Sequence, residues 1–585
     1  MNVAEFLLAI VQRLGTDTGF SLTGGMAMHF NRAAAESSLH MIYCNHEQAV
    51  AAAADGYAKA REFQTAGLAI VTSGPGVTNT ITSVASAYYD SVPMFILAGQ
   101  VKTADINAFG VRSRGAQETP HLELMRPVTK LAFRYIPSEV DDDALAANMA
   151  QALAGRKGPV FVEVPLDVQP RQMDDADARL DRIVARIHEI IRDDRSTGEA
   201  AVGSIMQALA TAKRPVLVVG NGLRIAGVSR ADIRALVEQT GIPALFTWAS
   251  FDLMDFDHPS NFGSAGGLAP THSNRILQNA DVVVFLGARL DLLTTAFNPQ
   301  NYGRAAHRFV VECDQPEIDK NQGQANTTFL RENVAGVADA LLAQAGDVVV
   351  DPSWIGRCRQ WRAEDRAEEA GAFGERRLNT FQVSRVLSAS KQARYLVPTA
   401  SGYATEGLAR FYQPRDGATF AWAGHTLGSM GLGLPTAIGA AAGRHGEPVV
   451  CVEGDGGVLL NVQELFTVRA NPDLPLTVIV LNNGGYQSIM QSQKRAFGKE
   501  FGASEASGLT TVNFELLAEL AGLPFIRCDT LDAFETVMSD DAAPARRFIE
   551  LMVVEDGYRG PSVQTKFDAD GKPYSTDIGD VAWSR

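Results

Sequence analysis

The feature that most limits the fold is a repeated type of strand. Short runs rich in valine and isoleucine, apolar at nearly every position, stop abruptly at glycine or a polar residue: "GLAIVTSG", "PMFILAGQ", "PVFVEVP", "PVLVVGNG", "DVVVFLGAR", "RFVVECD", "PVVCVEGDGG", "LTVIVLNN" and "FIELMVVE". A strand that is apolar on both faces needs cover on both faces, which is the situation of a parallel sheet. Helical patterns such as "VTNTITSVASAYYDS" lie between the runs and supply the crossovers. The expected class is α/β, with doubly wound parallel sheets.

A chain of 585 residues holds about three domains at roughly 100–200 residues each. Two polar stretches, "QPRQMDDADARLDR" and the charged segment 347–378, read as linkers. They divide the chain into 1–170, 190–345 and 375–560, with a tail, 561–585, that reads as loop or arm.

The net charge of -15 argues against a nucleic-acid partner, which would need a basic face. It leaves room for phosphorylated small molecules held locally by a metal ion or a helix N-terminus. No apolar run has the length of a membrane span. The opening "MNVAEFLLAIVQRLG" carries Glu5 where a leader would be basic, so an amphipathic helix is expected there. Cys44, Cys313, Cys358, Cys451 and Cys528 are scattered without a CxxC, which fits a reducing, cytoplasmic setting.

Two strand ends carry the chemistry. One run ends in Gly454-Asp455-Gly456-Gly457 and the next in Asn482-Asn483, followed by Gly484-Gly485. Ligands bind at the carboxyl ends of parallel strands, and glycines there allow close backbone approach. On neighbouring strands, the Asp455 carboxylate, the Asn483 amide oxygen and a backbone carbonyl would form half an octahedron. That suits Mg²⁺, which takes its remaining oxygens from water and phosphate. A helix starting near Val462 could point its N-terminus at a diphosphate. Each piece alone is an ordinary turn or helix cap. Together, one crossover apart, they are a candidate metal–diphosphate clamp.

This GDG…NN pair resembles the thiamine diphosphate motif. Nearly the whole chain, apart from linkers and tail, resembles the acetolactate synthase-like decarboxylases and carboligases of that enzyme family. The resemblance implies Asp455, Asn483 and the Gly485 carbonyl as Mg²⁺ ligands. It places Gly402, Tyr403 and Ala404, in "SGYA", in the other diphosphate loop. In "NHEQAVAAAADGYAKA" it makes Glu47 the glutamate that bonds the cofactor's pyrimidine. A carboxyl group there, shielded from water, favours the imino tautomer of the 4′-amino group, which then takes the proton from the thiazolium C2. Pro75 and Asn79 in "TSGPGVTN" would line the pyrimidine. Gly428 and Met430 in "GHTLGSMG" would hold its other side, Met430 by wedging between the two rings. Gly24-Gly25 leaves room for a small donor such as pyruvate. Gln117 is a candidate for contacting substrate oxygens, and His425 and His29 are candidate proton relays. In the family the residues matching Glu47 and Asp455 come from different subunits, which implies at least a homodimer and commonly a homotetramer. Flavin-binding relatives grip FAD with arginines matching Arg156 in "GRKGP" and Arg289 in "GARLD", and wrap it near Thr247 and Trp248. FAD is therefore expected as a structural cofactor.

Four positions depart from the synthases. Leu293 stands where they place the arginine that pairs an acceptor carboxylate, and Leu166 where they place a lysine. Ser492 replaces a tryptophan of the acceptor pocket, and Ala116 a phenylalanine. Lost charge and lost bulk predict a wider pocket for a non-carboxylate ketone or aldehyde, with pyruvate as donor. The tail loosely resembles synthase-like proteins of polysaccharide-sugar pathways, which suggests a keto-sugar nucleotide as acceptor. An ordinary acetolactate synthase, a simple 2-oxo acid decarboxylase and a catalytically silent homologue are the alternatives.

Overall fold

The computed structural model describes residues 1–193, 198–373, 375–554 and 561–581. The apolar runs form three six-stranded sheets in which every pairing is parallel. The first sheet runs, in space, His40–Tyr43, Thr18–Ser21, Gly67–Val71, Met94–Gln100, Pro159–Pro165, Leu131–Arg134. The second runs Thr327–Arg331, His307–Glu312, Val282–Leu286, Pro215–Val219, Ala244–Phe246, Asn261–Ser264. The third runs Thr419–Phe420, Tyr395–Pro398, Val449–Gly454, Leu476–Asn482, Arg547–Met552, Phe525–Cys528. The strands Gly67–Val71, Met94–Gln100 and Pro159–Pro165 are buried at every position, as the double-sided cover of a parallel sheet requires.

The first and third sheets meet through two helices of small residues. Helix Glu47–Ala60 buries nearly its whole length, and helix Gly433–Gly443 buries all of it. A Cβ on Gly56 would lie 1.9 Å from the Thr436 carbonyl oxygen, and one on Gly439 would lie 1.8 Å from that of Ala53. The two backbones therefore touch, and only glycine fits at these crossings.

The opening segment is the expected amphipathic helix, Val3–Arg13, started by an Asn2–Glu5 capping box. The two polar stretches differ from the expectation, because both contain long helices. Ala176–Asp193 lays Leu180, Ile183 and Ile187 on the core beside the first sheet. Pro352–Phe373 buries Trp354 and Cys358 against the second, where the Trp354 indole donates to the Pro215 carbonyl oxygen. Each buries a few apolar residues at helical spacing, a narrow stripe that a polar average conceals. The tail also differs. Thr565–Phe567 and Pro573–Ser575 pair as an antiparallel hairpin, and Ile578 is buried in the second domain. Asp577 accepts from Gln278 and Arg304 there. Residues 582–585 of the tail lie outside the described residues.

Candidate active site

In the third sheet, Val449–Gly454 and Leu476–Asn482 are parallel neighbours in register, with Gly454 opposite Leu481. Asp455 and Asn483 therefore leave adjacent strand ends side by side. The Gly456 N–H donates to Asp455 Oδ1 and the Gly485 N–H to Oδ2, both at 2.8 Å. Burial pushes the Asp455 carboxyl above its ordinary range, while backbone N–H groups of this loop pull it down. The two asparagines are not equivalent. Asn482 donates to Glu550 at 2.7 Å, whereas Asn483 Oδ1 is buried with no hydrogen-bond partner. A buried acceptor without a donor is costly unless something electropositive reaches it. Small residues keep the turn bare: a Cβ on Gly456 would meet the Tyr486 ring at 2.2 Å, and one on Gly485 the Ala503 carbonyl oxygen at 2.3 Å. A cavity of about 40 Å³ lined by Asp455, Gly456, Asn482 and Gly485 opens over it. The chain turns helical at Asp455 itself, and after the 3-10 turn Leu459–Asn461 the helix expected near Val462 runs Glu464–Ala470.

Among the described residues no cluster of three or more His, Cys, Asp or Glu could hold a metal. A cation here would rest on one carboxylate and neutral oxygens, a donor set that Mg²⁺ accepts. Glycine-rich loops flank the turn on the same sheet edge. Gly402, at φ +81°, opens helix Tyr403–Phe411, with Ala404 buried. Gly428, at φ +67°, closes a tight turn by donating to the Gly424 carbonyl oxygen, with Met430 half-buried beyond it.

The first sheet's carboxyl edge gathers the other group of residues. Glu47 begins the helix that follows His40–Tyr43 and is 8% exposed. Asn79 donates to its Oε2 at 2.9 Å. Asn79 ends the short helix Pro75–Thr78, which follows the Gly67–Val71 strand. Gly24 lies against Thr72, where a Cβ would come within 2.4 Å, and Gly25 is open. Gln117, at φ +65°, is held by its carbonyl, which accepts from Ser73, while its side chain is exposed. His29 is half-buried beyond Gly25.

A third site lies between the domains. A cavity of about 290 Å³ is lined by Arg156, Arg289, Thr247 and Trp248, the residues singled out from the sequence. Asn221, Gly222 and Glu312 also line it and were missed, and His425, expected as a proton relay, lies in the same wall. Their signal was available, because Asn221, Gly222 and Glu312 sit at or just past the ends of apolar strands. Asn221 Oδ1 is buried without a partner. Arg156 pairs with Asp314 at 3.2 Å and Glu317 at 3.4 Å.

Leu293 is half-buried against the apolar core, Leu166 and Ala116 carry no charge, and Ser492 is exposed with its hydroxyl turned back to the Ser488 carbonyl. No helix among the described residues is long and apolar enough to cross a membrane.

Comparison with known proteins identifies the family. Residues 1–125 match the thiamine pyrophosphate enzyme N-terminal TPP binding domain, 202–341 the central domain and 400–548 the C-terminal TPP binding domain. The chain belongs to the thiamine diphosphate-dependent enzymes. It is 30% identical over 552 residues to acetolactate synthase isozyme 2 large subunit of Escherichia coli K12, covering 92% of this chain and 94% of that protein. It is 29% identical over 585 residues to probable acetolactate synthase 2, chloroplastic, of Oryza sativa subsp. japonica, covering 94% and 82%. It is 30% identical over 510 residues to acetolactate synthase 1, chloroplastic, of Nicotiana tabacum, covering 84% and 72%. Within its class the chain is an acetolactate synthase-like carboligase that couples decarboxylation to carbon–carbon bond formation.

Proposed function

We propose that the enzyme decarboxylates pyruvate and joins the two-carbon remainder to a non-carboxylate ketone or aldehyde, with a keto-sugar nucleotide as one candidate. The observation that carries the cofactor reading is Asn483 Oδ1, buried without a partner beside an oriented Asp455. These residues fit Mg²⁺ and a diphosphate: Asp455, Asn483 and the Gly485 carbonyl would hold the metal, and Gly402–Ala404 would take the phosphate side. Thiamine diphosphate, when bound, supplies the carbon nucleophile that releases carbon dioxide from a 2-oxo acid and carries the remainder to an acceptor. Glu47 serves it from a water-poor position. Asn79 holds Oε2, so Oε1 is the oxygen left to share a proton with the pyrimidine. Pro75, Gly428 and Met430 would orient the ring, and Gln117 would contact substrate oxygens from its exposed loop.

The acceptor reading rests on uncharged, smaller residues at 293, 166, 492 and 116. An anionic acceptor would lack the charge-assisted partners it needs there. Product analysis with pyruvate alone, then with a neutral diketone, a keto-sugar nucleotide and 2-oxobutyrate, tests this. Preferred use of a neutral or sugar carbonyl is expected, and efficient acetolactate formation from pyruvate alone overturns it.

FAD is proposed for the 290 Å³ cavity, on the support of its two arginines, its bare Gly222 and Gly287 backbone and the unpaired Asn221 oxygen. The purified protein should be yellow and release flavin on denaturation. A preparation that stays colourless after incubation with FAD removes the assignment. At least a homodimer, and commonly a homotetramer, follows from the family's shared sites. Size-exclusion chromatography with light scattering checks it. Four of the five cysteines are buried and all are free, in keeping with a reducing compartment such as the cytoplasm.

A further inference from the structure

A buried ionic cluster joins all three domains immediately beside the loop that carries Gly428 and Met430. Asp90, the C-cap of helix Ile81–Tyr89, has a fully buried carboxylate. Its Oδ2 accepts from the His425 N–H at 3.1 Å and lies 3.0 Å from His425 Nδ1. Its Oδ1 accepts from the Thr426 N–H at 3.1 Å. Lys59 lies 3.5 Å from Asp90 and 2.7 Å from Asp55, and donates to the Trp422 carbonyl oxygen at 2.7 Å. From the second domain, Arg289 donates to the Tyr89 carbonyl and to Thr426 Oγ1. The His425 ring stands edge-on to Trp248 at 5.3 Å, and Trp248 packs on Trp422.

This arrangement gives His425 a post other than proton relay: its Nδ1 is committed to Asp90 and its ring to the cavity wall. It also shows what fixes the turn. Gly424 has φ +72°, and a Cβ on it would lie 2.5 Å from Ser86 Oγ, so the loop is pressed against the Asp90 helix. The turn has few contacts of its own, with Thr426, Leu427 and Gly428 exposed. Two successive backbone N–H groups on one buried carboxylate are strong, directional bonds. Burial pushes the Asp90 carboxyl up, but the His425 and Lys59 charges outweigh it and hold the group well below the usual carboxylate range.

We propose that Asp90 is a positioning residue for the reaction: with Lys59 as counter-ion, it sets the His425–Met430 turn and thereby the height at which Gly428 and Met430 meet the cofactor. This rests on reading that turn as the pyrimidine support. Asp90 touches no reacting atom. Its charge fixes two N–H groups whose turn then presents the cofactor contacts.

The test uses the full-length enzyme, with Asp90→Asn as the main variant and His425→Ala and Thr426→Val as milder ones. Thiamine diphosphate with Mg²⁺ is titrated, and tryptophan emission of the cofactor-free protein is recorded, since Trp248 and Trp422 adjoin the turn. Asp90→Asn should weaken cofactor affinity roughly ten- to a hundredfold, lower kcat at saturating cofactor, leave the KM for the donor nearly unchanged and shift the emission. His425→Ala and Thr426→Val should follow in the same direction by smaller factors. Asp90→Glu should recover part of the affinity. If Asp90→Asn does not fold, His425→Ala, which removes the Nδ1 contact with Asp90, carries the test with the same readouts. A folded variant that loses melting temperature but keeps the parent's cofactor affinity, kcat and emission overturns the proposal. Failure of the underlying reading is separate: it would show as a parent enzyme that does not bind thiamine diphosphate.

Discussion

The two cofactor-facing edges of the molecule are built differently. At the third-domain edge the Asp455 carboxylate is set by its own turn. Two backbone N–H groups orient Asp455, bare glycines keep the floor clear, and Asn483 Oδ1 waits unpaired. At the first-domain edge, one side-chain bond from Asn79 holds Glu47, while Gly25 and Gln117 are exposed. The first kind of edge is a finished cradle for a charged, rigid group. The second is an open edge with a single oriented carboxylate. On the proposed reading, the difference divides binding and activation between the domains. The diphosphate end would supply affinity through preset electrostatics, and the pyrimidine end would supply rate through one carboxyl group.

That division predicts opposite lesions. Glu47→Gln should lower kcat by about 10²–10⁴ while leaving thiamine diphosphate affinity within a few-fold of the parent. Steady-state kinetics with a parallel cofactor titration checks both, and a variant weakened only in binding would erase the distinction. Asp455→Asn should do the reverse, weakening Mg²⁺-dependent cofactor binding by more than roughly a hundredfold. Calorimetric titration reads this, and excess Mg²⁺ should restore part of the turnover. Gly439→Val should lower stability by several kcal/mol, about 3 or more, because its Cβ would fall on the Ala53 carbonyl; a denaturant melt measures it.

The smallest effect is a change in pH dependence. Burial pushes the Asp55 carboxyl from 3.8 up to about 6, with Asp90 adding to the rise and Lys59 and His425 opposing it. Between these values the folded chain keeps a proton that the unfolded chain has released. The stability this group contributes is present at lower pH and lost as pH rises through about 6. Asp55→Asn should therefore flatten the fall in stability between pH 4.5 and 7.5, read from denaturation at both values. An unchanged slope would show that Lys59 keeps Asp55 ionised throughout.

Legibility in the sequence followed the same line. The clamp could be read because strand ends are marked twice, by the end of an apolar run and by glycine; Asp455 and Asn483 sit directly on those marks. Glu47 was legible only through its resemblance, since a glutamate at a helix start is an ordinary dipole-complementing residue. The Asp90 cluster was not legible. Asp55 and Lys59, four apart on a helix, look like a surface pair, and only tertiary packing turns that face inward. The two helices hidden in the polar stretches escaped for a related reason. Average polarity masks a stripe such as Leu180, Ile183 and Ile187, and the partner surface that makes the stripe matter is distant in sequence.

The glycine crossing of helices Glu47–Ala60 and Gly433–Gly443 has a mechanical consequence. One helix begins with Glu47, and the other follows the turn bearing Gly428 and Met430. Backbones locked at contact distance cannot slide without breaking the interlock. Within one chain the start of the first helix and the turn before the second are therefore held at a fixed spacing and move as one body.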